Sequence, residues 1–209
     1  MPSYDIERTL SADGYVAVCG VDEAGRGPLC GSVVAAACIL PDGLDIPGLN
    51  DSKKLTPKKR EKLFEIICRN AIAYGIAEGT VEEINKTNIL EADLRAMRRA
   101  IDGLHTPDGQ PYRADFALID GNISRDFQIP ARAVIKGDSI SMSIAAASIL
   151  AKVTRDRMCE DMDRAYPQYG IAKHKGYGTK AHMDALRQYG PSPIHRTKFI
   201  RFLNEDRHE

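Results

Sequence analysis

Short apolar runs rich in β-formers alternate along the chain with stretches whose apolar positions recur every three to four residues. Residues 15–21 (Tyr-Val-Ala-Val-Cys-Gly-Val) are the first such run and predict a buried strand. A turn-like stretch with Gly25, Gly27 and Pro28 leads to a second predicted strand, residues 31–40, ended by Pro41-Asp42-Gly43. The two are expected to form a hairpin. Asp51-Ser52-Lys53-Lys54-Leu55 is a polar loop. Thr56 is an N-cap candidate with Pro57 at the first helical position, opening a predicted helix to about Asn70 with Leu63, Ile66 and Ile67 as its buried stripe. Residues 71–81 predict a third strand. Residues 87–104 predict an amphipathic helix, with Ile89, Leu90, Leu94, Met97 and Ile101 on one face.

After a Pro- and Gly-containing loop at 106–113, residues 116–119 predict a strand stopping at Asp120-Gly121-Asn122. Residues 131–135 predict another, stopping at Lys136-Gly137-Asp138. Residues 139–166 read as one long helix, whose Ala145-Ala146-Ala147-Ser148 patch would let it lie close on a sheet. Beyond Pro167 the texture changes to a glycine-containing basic loop (174–179) and two short predicted helices, 179–189 and 194–203, separated by Pro191 and Pro193. The pattern predicts a mixed α/β domain over 1–166 and a small C-terminal helical subdomain over 167–209.

The chain of 209 residues is 43% hydrophobic, enough for a proper core. No apolar run approaches a membrane span, and the N-terminus lacks a basic start followed by an apolar stretch, so a cytoplasmic location is expected. The cysteines Cys19, Cys30, Cys38, Cys68 and Cys159 have no paired spacing and form no Cys/His cluster in the sequence, and read as reduced core thiols. His174, His182 and His195 likewise lack ligand spacing and predict surface or hydrogen-bonding roles. A net charge of zero hides an asymmetry: residues 132–201 hold thirteen Lys or Arg against six Asp or Glu. A second basic knot comprises Lys53, Lys54, Lys58, Lys59, Arg60 and Lys62. Such patches suit a polyanionic partner, or are solvated helix faces.

Several predicted strands end in acids: Asp22 and Glu23, then Asp120, then Asp138. Ligand sites in open α/β sheets lie beyond strand ends. Carboxylates converging there repel one another unless a cation intervenes, and hard oxygen ligands without Cys or His select Mg²⁺ or Mn²⁺. The alternative is a set of ordinary surface acids. Adjacent strand residues face opposite ways, so Asp22 and Glu23 are expected to share a site only where the chain leaves the strand. Gly25-Arg26-Gly27 would supply that bend, and lets backbone groups approach a ligand closely; a tight turn alone would also explain the glycines.

The block Gly20-Val21-Asp22-Glu23-Ala24-Gly25-Arg26-Gly27-Pro28 resembles the opening signature of the ribonuclease HII family. Later blocks resemble it in order: Asp51-Ser52-Lys53-Lys54-Leu55, Ile119-Asp120-Gly121-Asn122, Lys136-Gly137-Asp138, residues 143–156, His174-Lys175-Gly176-Tyr177-Gly178-Thr179 and His195-Arg196-Thr197-Lys198-Phe199. The resemblance implies a ribonuclease-H-like mixed β-sheet flanked by helices, with a C-terminal helical piece that helps clamp a duplex. It implies two Mg²⁺ or Mn²⁺ ions held by Asp22, Glu23, Asp120 and Asp138. Gly25-Arg26-Gly27 would sense a 2′-hydroxyl and Tyr177 would stack on the neighbouring sugar. Lys53, Lys54, Ser148 and Lys152 would contact phosphates.

The implied activity is hydrolysis of the RNA strand of RNA–DNA hybrids, and cutting on the 5′ side of single ribonucleotides embedded in duplex DNA. Both would leave 5′-phosphate and 3′-hydroxyl ends. The related HIII family carries an extra N-terminal domain; with the first motif near residue 20, HII is the expectation. A monomer is expected. The rival readings are a non-catalytic hybrid-binding protein and another nuclease or strand-transfer enzyme of the same fold.

Overall fold

The computed structural model describes residues 2–205. A first helix, α1 (Asp5–Ala12), precedes strands β1 (Val18–Ala24) and β2 (Val33–Ile39). Next come α2 (Pro57–Asn70), β3 (Ala73–Gly79), α3 (Val81–Lys86), α4 (Ile89–Asp102), β4 (Phe116–Asp120), β5 (Ala131–Val134) and α5 (Met142–Ala165). Three short helices finish the described chain: α6 (Ile171–His174), α7 (Lys180–Tyr189) and α8 (Phe202–Glu205). The strands form one mixed sheet in the order β3-β2-β1-β4-β5. The β1–β2 and β2–β3 pairings are antiparallel, whereas β1–β4 and β4–β5 are parallel. This is the ribonuclease-H-like sheet flanked by helices, with a helical C-terminal region.

Helices cover both faces of the sheet. Alternation along β1 sends Cys19 and Val21 into a core with Leu94, Met97 and Ile101 of α4. The opposite face lies against α5, whose Ala145, Ala146, Ala147 and Ser148 are all buried. Small residues there let the helix backbone touch the strand. A Cβ on Gly20 would lie 2.2 Å from the Ile144 nitrogen, so only glycine admits this approach. Ile144, Ile149 and Leu150 are fully buried along the same helix, each contributing about 1.5–3 kcal/mol by leaving water.

Several expectations need correction. β1 runs to Ala24 rather than stopping at Val21, and Asp22 and Glu23 pair across to Ala36 and Ala35. The acids therefore stand on opposite faces of a continuing strand; the expected bend begins only at Gly25. Ile66 is exposed, and Arg60 joins Leu63 and Ile67 on the inner side of α2. Arg60 can be buried because its guanidinium donates to the Ser52 and Leu55 carbonyls and pairs with Asp156. The helix predicted over 194–203 is instead a 3-10 turn, Thr197–Phe199, followed by α8. There the Arg196 amide donates to Leu29 O and the Thr197 amide to Asn85 Oδ1, which ties the segment to two other parts of the chain.

Three further helices were not predicted: α1, α6, and α3, which carries a complete Thr80/Glu83 capping box. All five cysteines are free, four of them buried, as read from the sequence. Among the described residues no helix is long and apolar enough to cross a membrane. The C-terminal helices join the rest through a core of Cys30, Cys159, Tyr169, Ile171, Ala185, Leu186 and Ile200.

Candidate active site

The parallel pairing of β1 with β4 places Val21 beside Ile119, so Asp22 and Asp120 follow on adjacent strands. Asp120 Oδ1 accepts a 2.7 Å hydrogen bond from the Gly137 amide, which draws the turn carrying Asp138 against it. Asp22 and Asp138 are each only 6% exposed. Asp22 is raised well above the ordinary carboxylate range by burial, then by Glu23, Asp120 and Asp138; the Glu23 amide, donating at 2.7 Å, partly opposes this. Glu23 is raised by burial, with Asp120 adding to the shift and Arg26 and Lys53 opposing it. Asp138 is raised by burial and by Asp120 and Asp51, with Lys53 opposing. The four acids thus act on one another, with Asp120 common to the other three. Asp22 and Glu23 both feel Asp120 although they stand on opposite faces of β1.

Lys53 is the cation that answers this cluster. Burial lowers its pKa, but Asp22, Asp138, Asp51 and Asp120 together more than offset that and raise it. Lys54 is turned toward Asp51, 3.7 Å away, and is exposed. Ser148 and Lys152, expected at phosphates, are engaged elsewhere. Ser148 is 2% exposed with its hydroxyl donating to Ala145 O, and the Lys152 ammonium lies 2.6 Å from Asp156. Ser148 is behind the site, and Lys152 shares one acid with Arg60.

Sequence reasoning missed Asp93 of α4. It is 1% exposed, its Oδ1 has no hydrogen-bond partner, and its Oδ2 lies 3.6 Å from Arg26 Nε. Burial, reinforced by Glu23 and partly offset by Arg26, pushes it up to about 8. Arg26 also lies 3.7 Å from Glu23, so it spans the two acids on that face. An acid at a core position of an amphipathic helix was the available signal.

The glycine loop and Tyr177 lie side by side. Gly25 has φ +102°, and a Cβ there would fall 1.8 Å from Arg155 Nε, so the bend admits glycine alone. A Cβ on Gly27 would be 3.3 Å from Tyr177 Cε1, which sets the half-exposed tyrosine ring beside the loop. The Leu29 amide donates to Gly176 O, tying the two segments together.

Of the surface or hydrogen-bonding roles expected for the histidines, the structure shows the hydrogen-bonding one. His182 and His195 are buried, and the fold builds a Cys/His cluster that sequence spacing did not show. Ligand atoms of Cys30, His182 and His195 lie within 4.8 Å of one another, a candidate metal-ligand group. The two imidazoles already have hydrogen-bond partners on both ring nitrogens, however. The Ser192 amide donates to His195 Nδ1 at 3.0 Å, which leaves the His195 proton on Nε2. That atom faces His182 Nε2 at 3.2 Å, while His182 Nδ1 donates to Tyr177 O at 3.0 Å. Both imidazoles are lowered by burial, His195 to about 4, and burial pushes the Cys30 thiol up to about 11. The group is a relay of neutral rings behind the Tyr177 loop, and its soft donors do not suit Mg²⁺ or Mn²⁺.

Buried acids at the ends of adjacent strands, a basic approach and a glycine-bent loop define a nuclease of ribonuclease-H-like fold. The comparisons with known proteins agree. The family model described as Ribonuclease HII matches residues 19–202. The ribonuclease HII of Alkaliphilus metalliredigens is 51% identical over 201 residues, 96% of this chain and 98% of the relative. That of Desulfitobacterium hafniense is 52% identical over 193 residues, 92% and 72% of the two chains. The crystal structure of the ribonuclease H2 from Pyrococcus horikoshii superposes with TM-score 0.72 at 29% identity, covering 93% of this chain and all of that one. The chain belongs to the ribonuclease HII family. It is an enzyme, an endonuclease of the ribonuclease H type that acts on RNA–DNA hybrids.

Proposed function

We propose that this protein hydrolyses the RNA strand of RNA–DNA hybrids and also cuts on the 5′ side of single ribonucleotides embedded in duplex DNA. The products would carry 5′-phosphate and 3′-hydroxyl ends. The observation that carries the reading is the acid cluster around Asp120, with Asp22 and Asp138 buried and Glu23 and Asp120 half-buried, oxygen-only and short of cations. Such a donor set fits hard divalent ions, Mg²⁺ or Mn²⁺, with Asp22, Glu23, Asp120 and Asp138 as the holding residues. When bound, a pair of such ions supplies a water of lowered pKa and neutralises charge on the leaving oxygen.

The chain's own residues do the rest. Asp120, fixed by the Gly137 amide, holds the cluster's geometry. Lys53 offsets its negative charge and lets a phosphate approach. The backbone of Gly25-Arg26-Gly27 contacts the 2′-hydroxyl, and Tyr177 stacks on the next sugar, so an all-DNA duplex lacks the group the loop reads. Residues 1–166 form the catalytic domain, and 167–209 the clamp that holds the duplex through phosphates together with Lys53 and Lys54. A cytoplasmic monomer belongs to the same proposal. The test is cleavage of a DNA duplex with one ribonucleotide beside the matched all-DNA duplex, over a Mg²⁺ titration. A metal-dependent nick only in the first supports the reading; equal cutting of both, or of neither, overturns it.

A further inference from the structure

Arg196 is fully buried, and among the described residues it makes no ion pair with a carboxylate. Burying a guanidinium without an acid is unfavourable unless hydrogen bonds replace its water. Here they do, all from one short segment. Nη2 donates to Gly25 O at 2.7 Å, Nη1 to Arg26 O at 3.0 Å and Pro28 O at 2.8 Å, and Nε to Gly31 O at 2.8 Å. Arg155 lies against the same loop from the α5 side, donating to Cys30 O at 3.2 Å.

The carbonyl and the following amide of a trans peptide point in opposite directions. With the carbonyls of Gly25 and Arg26 both drawn inward, the amides of Arg26 and Gly27 both turn outward. Neither donates to another group among the described residues. Successive outward amides make a concave donor pair that suits an oxygen acceptor.

We propose that Arg196 is a positioning residue for ribose recognition: by holding the carbonyls of Gly25, Arg26, Pro28 and Gly31 inside, it presets the amides of Arg26 and Gly27 as a donor pair for the 2′-oxygen. Arg196 never touches substrate; it acts through the loop. This inference rests on the reading of residues 25–27 as the ribose sensor.

The test measures binding on an Asp120→Asn background, where cutting is slow enough to leave the duplex intact during the measurement. Fluorescence anisotropy compares a DNA duplex carrying one ribonucleotide with the matched all-DNA duplex. With Arg196 intact, the ribonucleotide duplex should bind more tightly; equal affinities would overturn the ribose-sensing reading itself. Adding Arg196→Lys keeps the charge but cannot span four carbonyls. A preference of about tenfold, the worth of one or two hydrogen bonds, should fall toward parity. Affinity for the all-DNA duplex should stay within about twofold, since its phosphate contacts lie elsewhere. An unchanged preference in a folded variant would overturn the role assigned to Arg196, and so would an equal loss on both duplexes, which marks a purely structural arginine. Should circular dichroism show the lysine variant unfolded, amide exchange on the Asp120→Asn protein decides. The Arg26 and Gly27 amides should exchange fast when free, and slow on the ribonucleotide duplex but not on all-DNA; protection in the free protein overturns the proposal.

Discussion

In the metal-free protein Asp93→Asn should gain stability relative to wild type as the pH rises. Asp93 is 1% exposed, one oxygen is unpartnered, and its nearest cation, Arg26, is 3.6 Å away. Burial, with Glu23 adding and Arg26 opposing, raises its pKa from 3.8 to about 8. The unfolded chain therefore releases this proton near pH 4, while the folded chain keeps it to about pH 8. Between those values the unfolded state binds fewer protons, so rising pH removes stability. At about 1.4 kcal/mol per pH unit, the penalty reaches roughly 4 kcal/mol at pH 7 as an upper bound, and less if water reaches the carboxylate. Asparagine keeps the shape and cannot ionise. Its unsatisfied amide adds an offset that does not vary with pH. Urea unfolding of both proteins in EDTA at pH 4.5 and 7.5 should show the variant gaining about 2–4 kcal/mol on wild type between the two. Parallel stability profiles for the two proteins would refute the buried-acid reasoning.

Asp120→Asn should reduce cleavage in Mg²⁺ by on the order of 10³-fold, the effect of losing one charge-stabilising group at a reacting centre, with an unchanged circular dichroism spectrum. Near-normal turnover would remove Asp120 from the catalytic set. Tyr177→Ala should slow cutting at single embedded ribonucleotides by about tenfold, the low end of an aromatic stacking contact, and slow continuous hybrids less; equal rates on the embedded substrate would dismiss the stacking role. Gly20→Ala should cost more than about 3 kcal/mol, because its Cβ would meet the α5 backbone at 2.2 Å. A melting temperature near that of wild type would show that the helix can shift outward freely.

Most of the sheet was legible because its strands are short apolar runs closed by turn residues, and α2 because Thr56-Pro57 announces its start. The limits of β1 were not, since Asp22, Glu23 and Ala24 look like a strand's end on hydrophobicity yet pair with β2 through their backbones. Hydrogen bonding to a neighbouring strand is a tertiary fact. The 194–203 stretch misled for the same reason: its apolar spacing suits a helix, but its backbone is held by Leu29 and Asn85. The four acids were visible as acids near the ends of predicted strands; the parallel register of β1 and β4 sets Asp22 beside Asp120, and the Gly137 amide brings the Asp138 turn to it. Asp93 was not singled out, Arg196 was named only within a motif block, and His182 and His195 were not paired with each other. Their roles come from burial, and a charged residue in a linear pattern reads as solvated until the fold encloses it.

The most direct test of the central claim is an anomalous difference map from a crystal of this protein soaked in Mn²⁺. The account predicts density among Asp22, Glu23, Asp120 and Asp138, lost in an Asp120→Asn crystal. Manganese bound instead at Cys30, His182 and His195, with the acid cluster empty, would contradict it.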